Sequence, residues 1–277
     1  MSEAPRVVDA ADARLDDYRN LRERDLAGTR SAEGVFVGES LLIVEQMLAR
    51  PFVTRSVLAS ERMAMRAAEL IAASASPNTP LIVASDEIIE SLAGFHVHRG
   101  VLAIGVRAPF EHLDPLSPAF VDAPLLLAFD GVNNMDNVGA LFRAAAAFGV
   151  GGALLSRASH DPLYRKSIRV SMGHALRVPF AWCDDLAATL AAHAQRADRV
   201  TVAADSSTDA QEIDAWLARR DPTRPISVVI GGEYHGVSAA VRACCDARVR
   251  IPMAMGVDSL NAAVAASILL HRLSTRA

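Results

Sequence analysis

Short apolar runs alternate with segments of helical periodicity along most of the chain, and this alternation constrains the fold more than any other feature. The runs in the second half lack alternation of apolar and polar residues, as expected for strands covered on both faces of a parallel sheet. Strands that alternate with helices are typical of α/β proteins. The predicted strands are 34–38, 56–59, 81–84 and 101–106, then 125–129, 152–155, 199–203, 226–230 and 248–251. The predicted helices include 40–50, 61–73, 86–92 and 262–273.

Residues 108–124 contain four prolines and no apolar periodicity, which is typical of a linker. The 277 residues of the chain are enough for two domains. We therefore expect a smaller α/β sandwich domain over 1–107, a linker over 108–122, and a second α/β domain with a parallel sheet over 123–277.

The composition excludes several classes of protein. With 51 % hydrophobic and 22 % charged residues, the chain is neither disordered nor fibrous. The formal net charge of −4 argues against a protein coated in positive charge, although 157–177 carries five cations against one acid and predicts a basic surface in the second domain. The three cysteines lack the spacing of a zinc site or a disulfide framework, so no metal is expected. Without a signal peptide or a membrane-length apolar run, we expect a cytoplasmic protein with no membrane partner.

A polar turn rich in asparagine follows the strand at 125–129 and leads into a helix that is expected to begin near Asp136 or Asn137. Gly139 lies in the first turn of this helix and Arg143 one turn later. A helix N-terminus followed by an arginine can bind a phosphate or another anion. The alternative is a capped helix with an arginine at the surface.

Two further segments each join an apolar run to a polar turn. Gly231, Gly232 and Glu233 follow an apolar strand, and such turns bring backbone groups close to a ligand. The GxGxxG pattern of dinucleotide-binding proteins is absent, which disfavours a nicotinamide-dependent enzyme. Ser259 and Asn261 precede an almost wholly apolar helix, where Ser259 or its neighbour Asp258 can cap the helix, or where these polar groups can meet a ligand. Plain capping and plain turns remain the alternatives.

This ordered set of motifs resembles the SpoU (TrmH-like) family of RNA ribose 2′-O-methyltransferases, within the SPOUT superfamily. The set is NxGxxxR at 137–143, G-x-E at 231–233 and IPM…SLN at 251–261, and the resemblance covers about 123–277. Residues 16–107 resemble the substrate-binding domain, similar to ribosomal protein L30e, that often precedes such a domain. That weaker match includes Phe95-His-Val-His-Arg-Gly-Val-Leu-Ala-Ile104.

The resemblance implies a deep trefoil knot in the C-terminal domain, S-adenosylmethionine as cofactor, an RNA substrate, and a homodimer whose active site uses both subunits. The catalytic or substrate-orienting positions implied by the family are Asn137, Arg143, Glu233, Ser259 and Asn261. The implied cofactor-binding positions are Gly231, Gly232, Ile251, Met253 and Leu260. The implied RNA-binding positions are Arg165, Lys166, Arg169 and Ser171, with Arg99 beside His98 in the first domain.

Three residues depart from the family's common pattern. Met135 stands where proline is common, Gly232 where Ser, Thr or Ala is usual, and Ala263 where Ser often follows. None of these departures removes a motif side chain, so we expect activity.

The chemistry requires a proton to leave a ribose 2′-hydroxyl as the methyl group is attacked. Arg143 is an unsuitable base because a guanidinium essentially never deprotonates in proteins. We expect Arg143 to hold phosphate and to favour the developing alkoxide, and Glu233 and Ser259 to pass the proton on. No metal is required.

Two other functions remain open. One is an RNA-binding module of the same fold without catalysis, and the other is a base-modifying methyltransferase of the same superfamily. The four side chains Arg143, Glu233, Ser259 and Asn261 argue against the first, and NxGxxxR with SLN favours ribose over base. The sequence does not distinguish rRNA from tRNA.

Overall fold

The computed structural model describes residues 6–21, 34–51, 53–94, 97, 99–111 and 113–274. Its strands are β1 (Val35–Glu39), β2 (Thr54–Ser60), β3 (Leu81–Ala84), β4 (Val101–Val106), β5 (Leu125–Asp130), β6 (Gly152–Ser156), β7 (Phe180–Cys183), β8 (Val200–Ala204), β9 (Gln211–Glu212), β10 (Ile226–Gly231) and β11 (Ala247–Arg250). Its α-helices are α1 (Leu41–Leu48), α2 (Ala64–Ala72), α3 (Asp86–Ala93), α4 (Ala108–Glu111), α5 (Pro118–Val121), α6 (Met135–Ala147), α7 (Arg165–Val170), α8 (Leu186–Ala197), α9 (Ile213–Leu217), α10 (Ala239–Ala243) and α11 (Ala262–Ser274). Short 3-10 helices are Ala13–Tyr18, Glu61–Met63 and His174–Leu176.

The chain divides into two compact units. Unit 1 is drawn from Met1–Pro109 and Leu163–Leu176, and unit 2 from Phe110–Pro162 and Arg177–Ala277. Both units alternate strands with helices, as predicted. Among the described residues, no helix has the length and apolar character needed to cross a membrane.

Unit 1 contains a mixed four-stranded sheet in the order β1-β4-β2-β3. β4 runs antiparallel to β1 and β2, while β2 and β3 are parallel. All four predicted strands are present, and β3 and β4 have the predicted bounds. Leu15, Tyr18 and Leu58 are fully buried in the core, where the Tyr18 hydroxyl lies 2.8 Å from Ser56 Oγ.

The segment Leu163–Leu176 belongs to unit 1, although its sequence neighbours on both sides belong to unit 2. Its helix α7 buries Ser167 and Ile168, and Arg165 Nη1 donates to Glu39 Oε2 at 3.0 Å. The charge pattern predicted that this basic segment lies in the second domain. Local patterns do not show that a segment packs with a distant part of the chain, which is why the interpretation and the structure differ here.

Unit 2 contains a seven-stranded sheet in the order β7-β6-β5-β10-β8-β11-β9, and every strand pair in it is parallel. The central strands β5 and β10 are buried almost throughout, which explains why their sequences lack polar alternation. The five predicted strands are present. Two strands were not predicted: β7, and β9, which is a two-residue polar strand at the sheet edge.

The proline-rich segment 108–124 is more ordered than a linker. It forms α4 and α5, and Phe110 and Phe120 are buried. The rings of Phe110 and Phe180 stack with centroids 6.2 Å apart. Two buried aromatic side chains tie this segment to the core of unit 2, an effect that proline content does not indicate.

Helices α6 and α11 pack against each other, and asparagine caps both. Asn134 Oδ1 accepts from Asp136 N at 2.8 Å and from Asn137 N at 3.3 Å, so α6 begins one residue before the predicted start. Asn261 Oδ1 accepts from Ala263 N at 2.9 Å and from Val264 N at 3.3 Å. The cap of α11 is therefore Asn261, and the expectation of Ser259 or Asp258 was wrong.

Candidate functional site

A cavity of about 610 Å³ opens at the carboxyl edge of the parallel sheet in unit 2. Its walls come from the segments that follow β8, β10 and β11 and from the start of α11. The carboxyl edge of an open parallel sheet is the usual ligand site of α/β proteins. Eight of the residues singled out in the sequence line it, namely Gly231, Gly232, Glu233, Ile251, Met253, Ser259, Leu260 and Asn261.

The glycines after β10 are required by close backbone packing. A Cβ added to Gly231 would overlap the backbone of Gly236 and Val237, and a Cβ on Gly232 would overlap the carbonyl of Gly131. The turn closes through a bridge between Gly232 and Gly236. The absence of side chains at Gly231 and Gly232 therefore allows neighbouring backbone segments to pack closely. In this chain, position 232 has no room for the Ser, Thr or Ala that is usual in the family.

Side chains from all three motifs form a hydrogen-bonded chain at the cavity. Asn261 Nδ2 donates to Asn137 Oδ1 at 2.8 Å, and Asn137 Nδ2 donates to Glu233 Oε1. Asn137 is buried on α6, whereas Glu233 and Asn261 line the cavity. Residues far apart in the sequence thus meet at one point.

The α11 cap sets the direction of this chain. Asn261 Oδ1 accepts two backbone N–H groups, so its Nδ2 must be the group that faces Asn137. Asn137 then presents its Oδ1 to Asn261 and its Nδ2 to the carboxylate of Glu233. Because Asn137 contacts Glu233 through Oε1, the other carboxylate oxygen is available to a bound molecule.

Two other catalytic candidates occupy different places. Ser259 lines the cavity. Arg143 is exposed on α6 and does not line the cavity. The structure therefore brings Asn137, Glu233 and Asn261 together and leaves Arg143 outside their contact.

The five RNA-binding candidates differ in exposure. Arg99 and Arg169 are exposed, and Lys166 is half-buried. Arg165 is paired with Glu39, whose side chain is only 10 % exposed. Ser171 is fully buried, where its hydroxyl donates to Ile168 O at 2.9 Å and accepts from Ala175 N at 3.2 Å.

In this structure Ser171 is thus inaccessible to a phosphate, and its hydroxyl is used within unit 1. His98, together with Phe95 and His96 of the same motif, lies outside the described residues.

Sequence reasoning missed Asp130, which positions the loop that carries Glu233. Asp130 ends β5, and its Oδ2 accepts from Ser238 N at 2.7 Å. Beside it, Ser156 Oγ accepts from Gly131 N at 2.9 Å and Ser159 Oγ donates to Phe129 O at 3.0 Å. These contacts hold the ends of β5 and β6. The signal in the sequence was the polar residues directly after buried strands.

Sequence reasoning also missed two charged residues that line the cavity, Asp205 after β8 and Arg242 on α10. Arg242 Nη2 donates to Val237 O at 3.0 Å. Partial burial of Asp205 opposes ionisation, but hydrogen bonds from Ser207 and the charges of Arg242 and Arg248 lower the pKa of its carboxyl below the ordinary value. The cavity therefore carries charge of both signs.

The thiols are unsuited to nucleophilic chemistry. Burial raises the pKa of Cys183 to about 11 and that of Cys245 to about 12, and it also raises the pKa of Cys244. Within the described ranges, no group of three or more His, Cys, Asp or Glu side chains is arranged to hold a metal ion.

The chain is similar to proteins described as RNA methyltransferases. The SpoU rRNA Methylase family matches residues 124–271. An uncharacterized tRNA/rRNA methyltransferase of Mycobacterium tuberculosis is 34 % identical over 266 residues, which is 96 % of this chain and 90 % of that protein.

Solved structures share the fold across nearly the whole chain. An RNA methyltransferase of the TrmH family from Porphyromonas gingivalis has a TM-score of 0.76 at 27 % identity, covering 96 % of this chain and 99 % of its own. The SpoU methyltransferase AviRb from Streptomyces viridochromogenes, in complex with the cofactor AdoMet, has a TM-score of 0.76 at 24 % identity, covering 95 % and 98 %. An RNA 2′-O ribose methyltransferase has a TM-score of 0.73 at 22 % identity, covering 98 % and 99 %. The chain belongs to the SpoU family of RNA methyltransferases.

Proposed function

We propose that the protein transfers the methyl group of S-adenosylmethionine to a ribose 2′-hydroxyl of rRNA or tRNA. The observation that carries this proposal is the contact of Asn137, Glu233 and Asn261 beside one cavity. A glutamate side chain that is held by an amide and borders a cavity is suited to accepting a proton from a substrate hydroxyl.

The cavity fits the cofactor in size and in chemistry. Its volume of about 610 Å³ lies within the ordinary range for small-molecule sites. The cofactor would contact backbone groups at the turn of Gly231 and Gly232. Its apolar parts would contact Ile251, Met253 and Leu260. When bound, S-adenosylmethionine supplies a methyl group on a positively charged sulfur, which is already reactive.

Glu233 is proposed as the group that takes the proton of the ribose hydroxyl, directly or through Ser259. Asn137 holds the carboxylate by its hydrogen bond, and Asn261 holds Asn137 in turn. Ser259 lines the same cavity and can bridge the hydroxyl and the carboxylate. Alignment of the hydroxyl with the methyl group supplies much of the remaining rate.

Arg143 is proposed to hold RNA phosphate. Its exposure on α6 leaves the guanidinium open to a large ligand, and a guanidinium matches phosphate with two parallel hydrogen bonds. Electrostatic support for the developing alkoxide is the second role that we assign to Arg143.

Unit 1 is proposed as the RNA-binding part, with a fold similar to ribosomal protein L30e. The exposed arginines Arg99 and Arg169 and the partly exposed Lys166 support this role. Sequence-specific binding of RNA usually targets exposed loops, and a separate RNA-binding unit suits that task.

A protein that modifies cellular RNA would act in the cytoplasm.

We also propose a deep trefoil knot in unit 2 and a homodimer, as the family resemblance implies. Large apolar side chains are exposed in the segments that border the cavity, which suits burial against a second copy. These residues are Tyr234, Met255, Val257, Leu260 and Val264. Size-exclusion chromatography with light scattering should give twice the mass of one chain, and a monomer at micromolar concentration would contradict the dimer.

The function is tested by incubating the purified protein with methyl-labelled S-adenosylmethionine and with separated rRNA and tRNA. After digestion, the labelled nucleoside is identified by mass spectrometry, and Glu233→Gln serves as the control. A 2′-O-methylnucleoside in one RNA class is the expected result. Label on a base would indicate a base-modifying enzyme, and RNA binding without transfer or cofactor binding would indicate a binding module.

A further inference from the structure

We propose that Asp205 is a cofactor-binding residue whose carboxylate accepts hydrogen bonds from the ribose hydroxyls of S-adenosylmethionine. This inference rests on the proposed function, because it names a contact within the same cavity. Asp205 lies outside the three sequence motifs that indicated the site.

The strand register places Asp205 between the two other strand ends that form the cavity. Ala203 of β8 pairs with Val229 of β10, two residues before Gly231. On the other side, Ala204 pairs with Val249 of β11, two residues before Ile251. β8 thus ends at the level of both cofactor-binding candidates, and Asp205 lines the cavity with them.

The carboxylate of Asp205 is held in one orientation. Its Oδ1 accepts from Ser207 N at 2.9 Å and from Ser207 Oγ at 2.6 Å. Its Oδ2 accepts a long hydrogen bond of 3.4 Å from Arg248 Nη1. The side chain is 16 % exposed, and a carboxylate oxygen has lone pairs for more than one donor. Oδ2 therefore keeps capacity for donors inside the cavity.

Arg248 is itself fixed by Asp209, which accepts from its Nη2 at 2.5 Å. The loop after β8 is held a second time where Arg250 donates to Glu212 at 2.6 Å. Two arginines of β11 thus brace the loop that carries Asp205. A fixed carboxylate loses little conformational freedom when a ligand binds.

The surroundings favour hydroxyl donors over a cationic donor. S-adenosylmethionine offers the ribose hydroxyls, the amino group of its adenine and the ammonium of its methionine part as donors to an acidic side chain. Arg242 and Arg248 both lie close enough to lower the pKa of Asp205. An ammonium at this place would meet two guanidinium groups, whereas neutral hydroxyls would meet no such repulsion.

The test measures ligand affinity by calorimetry for the full-length wild type, Asp205→Asn and Asp205→Ala. The ligands are S-adenosylhomocysteine, 5′-methylthioadenosine, which lacks the amino-acid part, and the 2′,3′-dideoxy form of methylthioadenosine. Asp198→Asn is the matched control, because it removes an exposed acid just before the start of β8 and Asp198 does not line the cavity. Thermal unfolding of each variant checks that it folds.

Both Asp205 variants should bind S-adenosylhomocysteine and methylthioadenosine more weakly, each by roughly 10- to 100-fold, as for loss of a hydrogen bond to a charged group. The dideoxy ligand should bind the wild type and the variants equally, and Asp198→Asn should resemble the wild type. Weakening for S-adenosylhomocysteine alone would overturn the ribose assignment in favour of the ammonium. Equal weakening for the dideoxy ligand would overturn it in favour of the adenine amino group. Unchanged affinities would overturn the role of Asp205, whereas a wild type that binds none of these ligands would contradict the proposed function itself.

Discussion

At the amino edge of the unit 2 sheet, polar side chains are enclosed by backbone carbonyls, whereas at the carboxyl edge they contact one another beside a cavity. Arg199, which precedes β8, is fully buried and donates to Ile226 O at 2.9 Å and to Val121 O at 3.0 Å. It also donates to the carbonyls of Phe120 and Ala123. These carbonyls lie at the starts of β5 and β10 or just before them, so one guanidinium ties several strand starts together.

The carboxyl edge uses its polar groups differently. Asn137 bonds to both Glu233 and Asn261, and these two residues also line the cavity. Buried polar groups that bond only to the protein serve stability, while groups with remaining capacity toward a cavity serve binding. We therefore expect substitutions at the two edges to have different effects. Those at the amino edge should change stability, and those at the carboxyl edge should change activity.

The largest effect is expected for Glu233→Gln. Glutamine keeps an acceptor for Asn137 Nδ2 but cannot take up the substrate proton. The turnover number should fall by about 10²- to 10⁴-fold, as for loss of a general base, with the unfolding midpoint unchanged. Single-turnover methyl transfer and urea unfolding measure the two quantities.

Glu233→Asp is the companion variant, because it keeps the charge and withdraws the carboxylate from Asn137. Partial activity in Glu233→Asp and almost none in Glu233→Gln would support the proton role. Full turnover in Glu233→Gln would remove Glu233 from the chemistry.

The second prediction concerns Arg199→Met at the amino edge. Methionine fills the space but leaves several buried carbonyls without their donor, which should lower the free energy of unfolding by about 2–4 kcal/mol. The affinity for S-adenosylhomocysteine should stay that of the wild type. Urea unfolding and calorimetry check these two expectations.

Arg196→Met is the matched control, since Arg196 donates to Leu116 O from an exposed position. It should change the free energy of unfolding by less than about 0.5 kcal/mol, as is usual at the surface. If Arg199→Met weakened the binding of S-adenosylhomocysteine as well as lowering stability, the assignment of stability to one edge and binding to the other would be contradicted.

The two edges also differ in how far the sequence revealed them. The carboxyl edge was indicated because its residues belong to compact motifs after apolar strands, such as Gly231 to Glu233. The family resemblance assigned Asn137, Glu233 and Asn261 to one set of functional residues, and the contact of Asn137 with the other two comes from the structure. Parallel strands end at one edge, so residues after several strands come together.

The amino edge and the segment Leu163–Leu176 were not foreseen. The sequence around Arg199 does not show whether this arginine is buried or exposed. The carbonyls that accept its hydrogen bonds lie 76 to 79 residues before it and 27 residues after it in the chain. The cap of α11 was misplaced for a similar reason. Ser259, Asp258 and Asn261 can all cap a helix, and the backbone geometry selects Asn261.

A smaller effect is expected at Asn261, which serves both stability and activity. Asn261→Asp keeps the oxygen that caps α11 but loses the donor to Asn137, whereas Asn261→Ala loses both. Both variants should reduce turnover, by about tenfold or more for loss of a positioned hydrogen bond. Only Asn261→Ala should lose the cap, at a cost of about 1 kcal/mol in unfolding free energy. Equal stability losses in the two variants would contradict the assignment of the cap.

The smallest effect is a pH dependence of stability at the amino edge. His193 is fully buried, its Nε2–H donates to Pro115 O at 2.9 Å, and burial lowers its pKa below the ordinary value of 6.5 despite this hydrogen bond. Below 6.5 the unfolded chain takes up the proton before the folded one, so the free energy of unfolding should fall with falling pH until the folded pKa is passed.

Above this range both states are neutral at His193, and its contribution to stability is complete. Urea unfolding of the wild type and of His193→Gln at about pH 7.5 and about pH 5.5 isolates the effect, because carboxylates titrate alike in both proteins. The wild type should lose more stability on acidification than His193→Gln, since glutamine can donate to Pro115 O without gaining charge. The activity of the two proteins at neutral pH should be equal, because His193 lies at the edge that holds the sheet together and not at the edge that binds the ligand. If the wild type and His193→Gln lost equal stability on acidification, His193 would take up its proton equally in the folded and unfolded states. Burial at the amino edge would then not disfavour the charged imidazole.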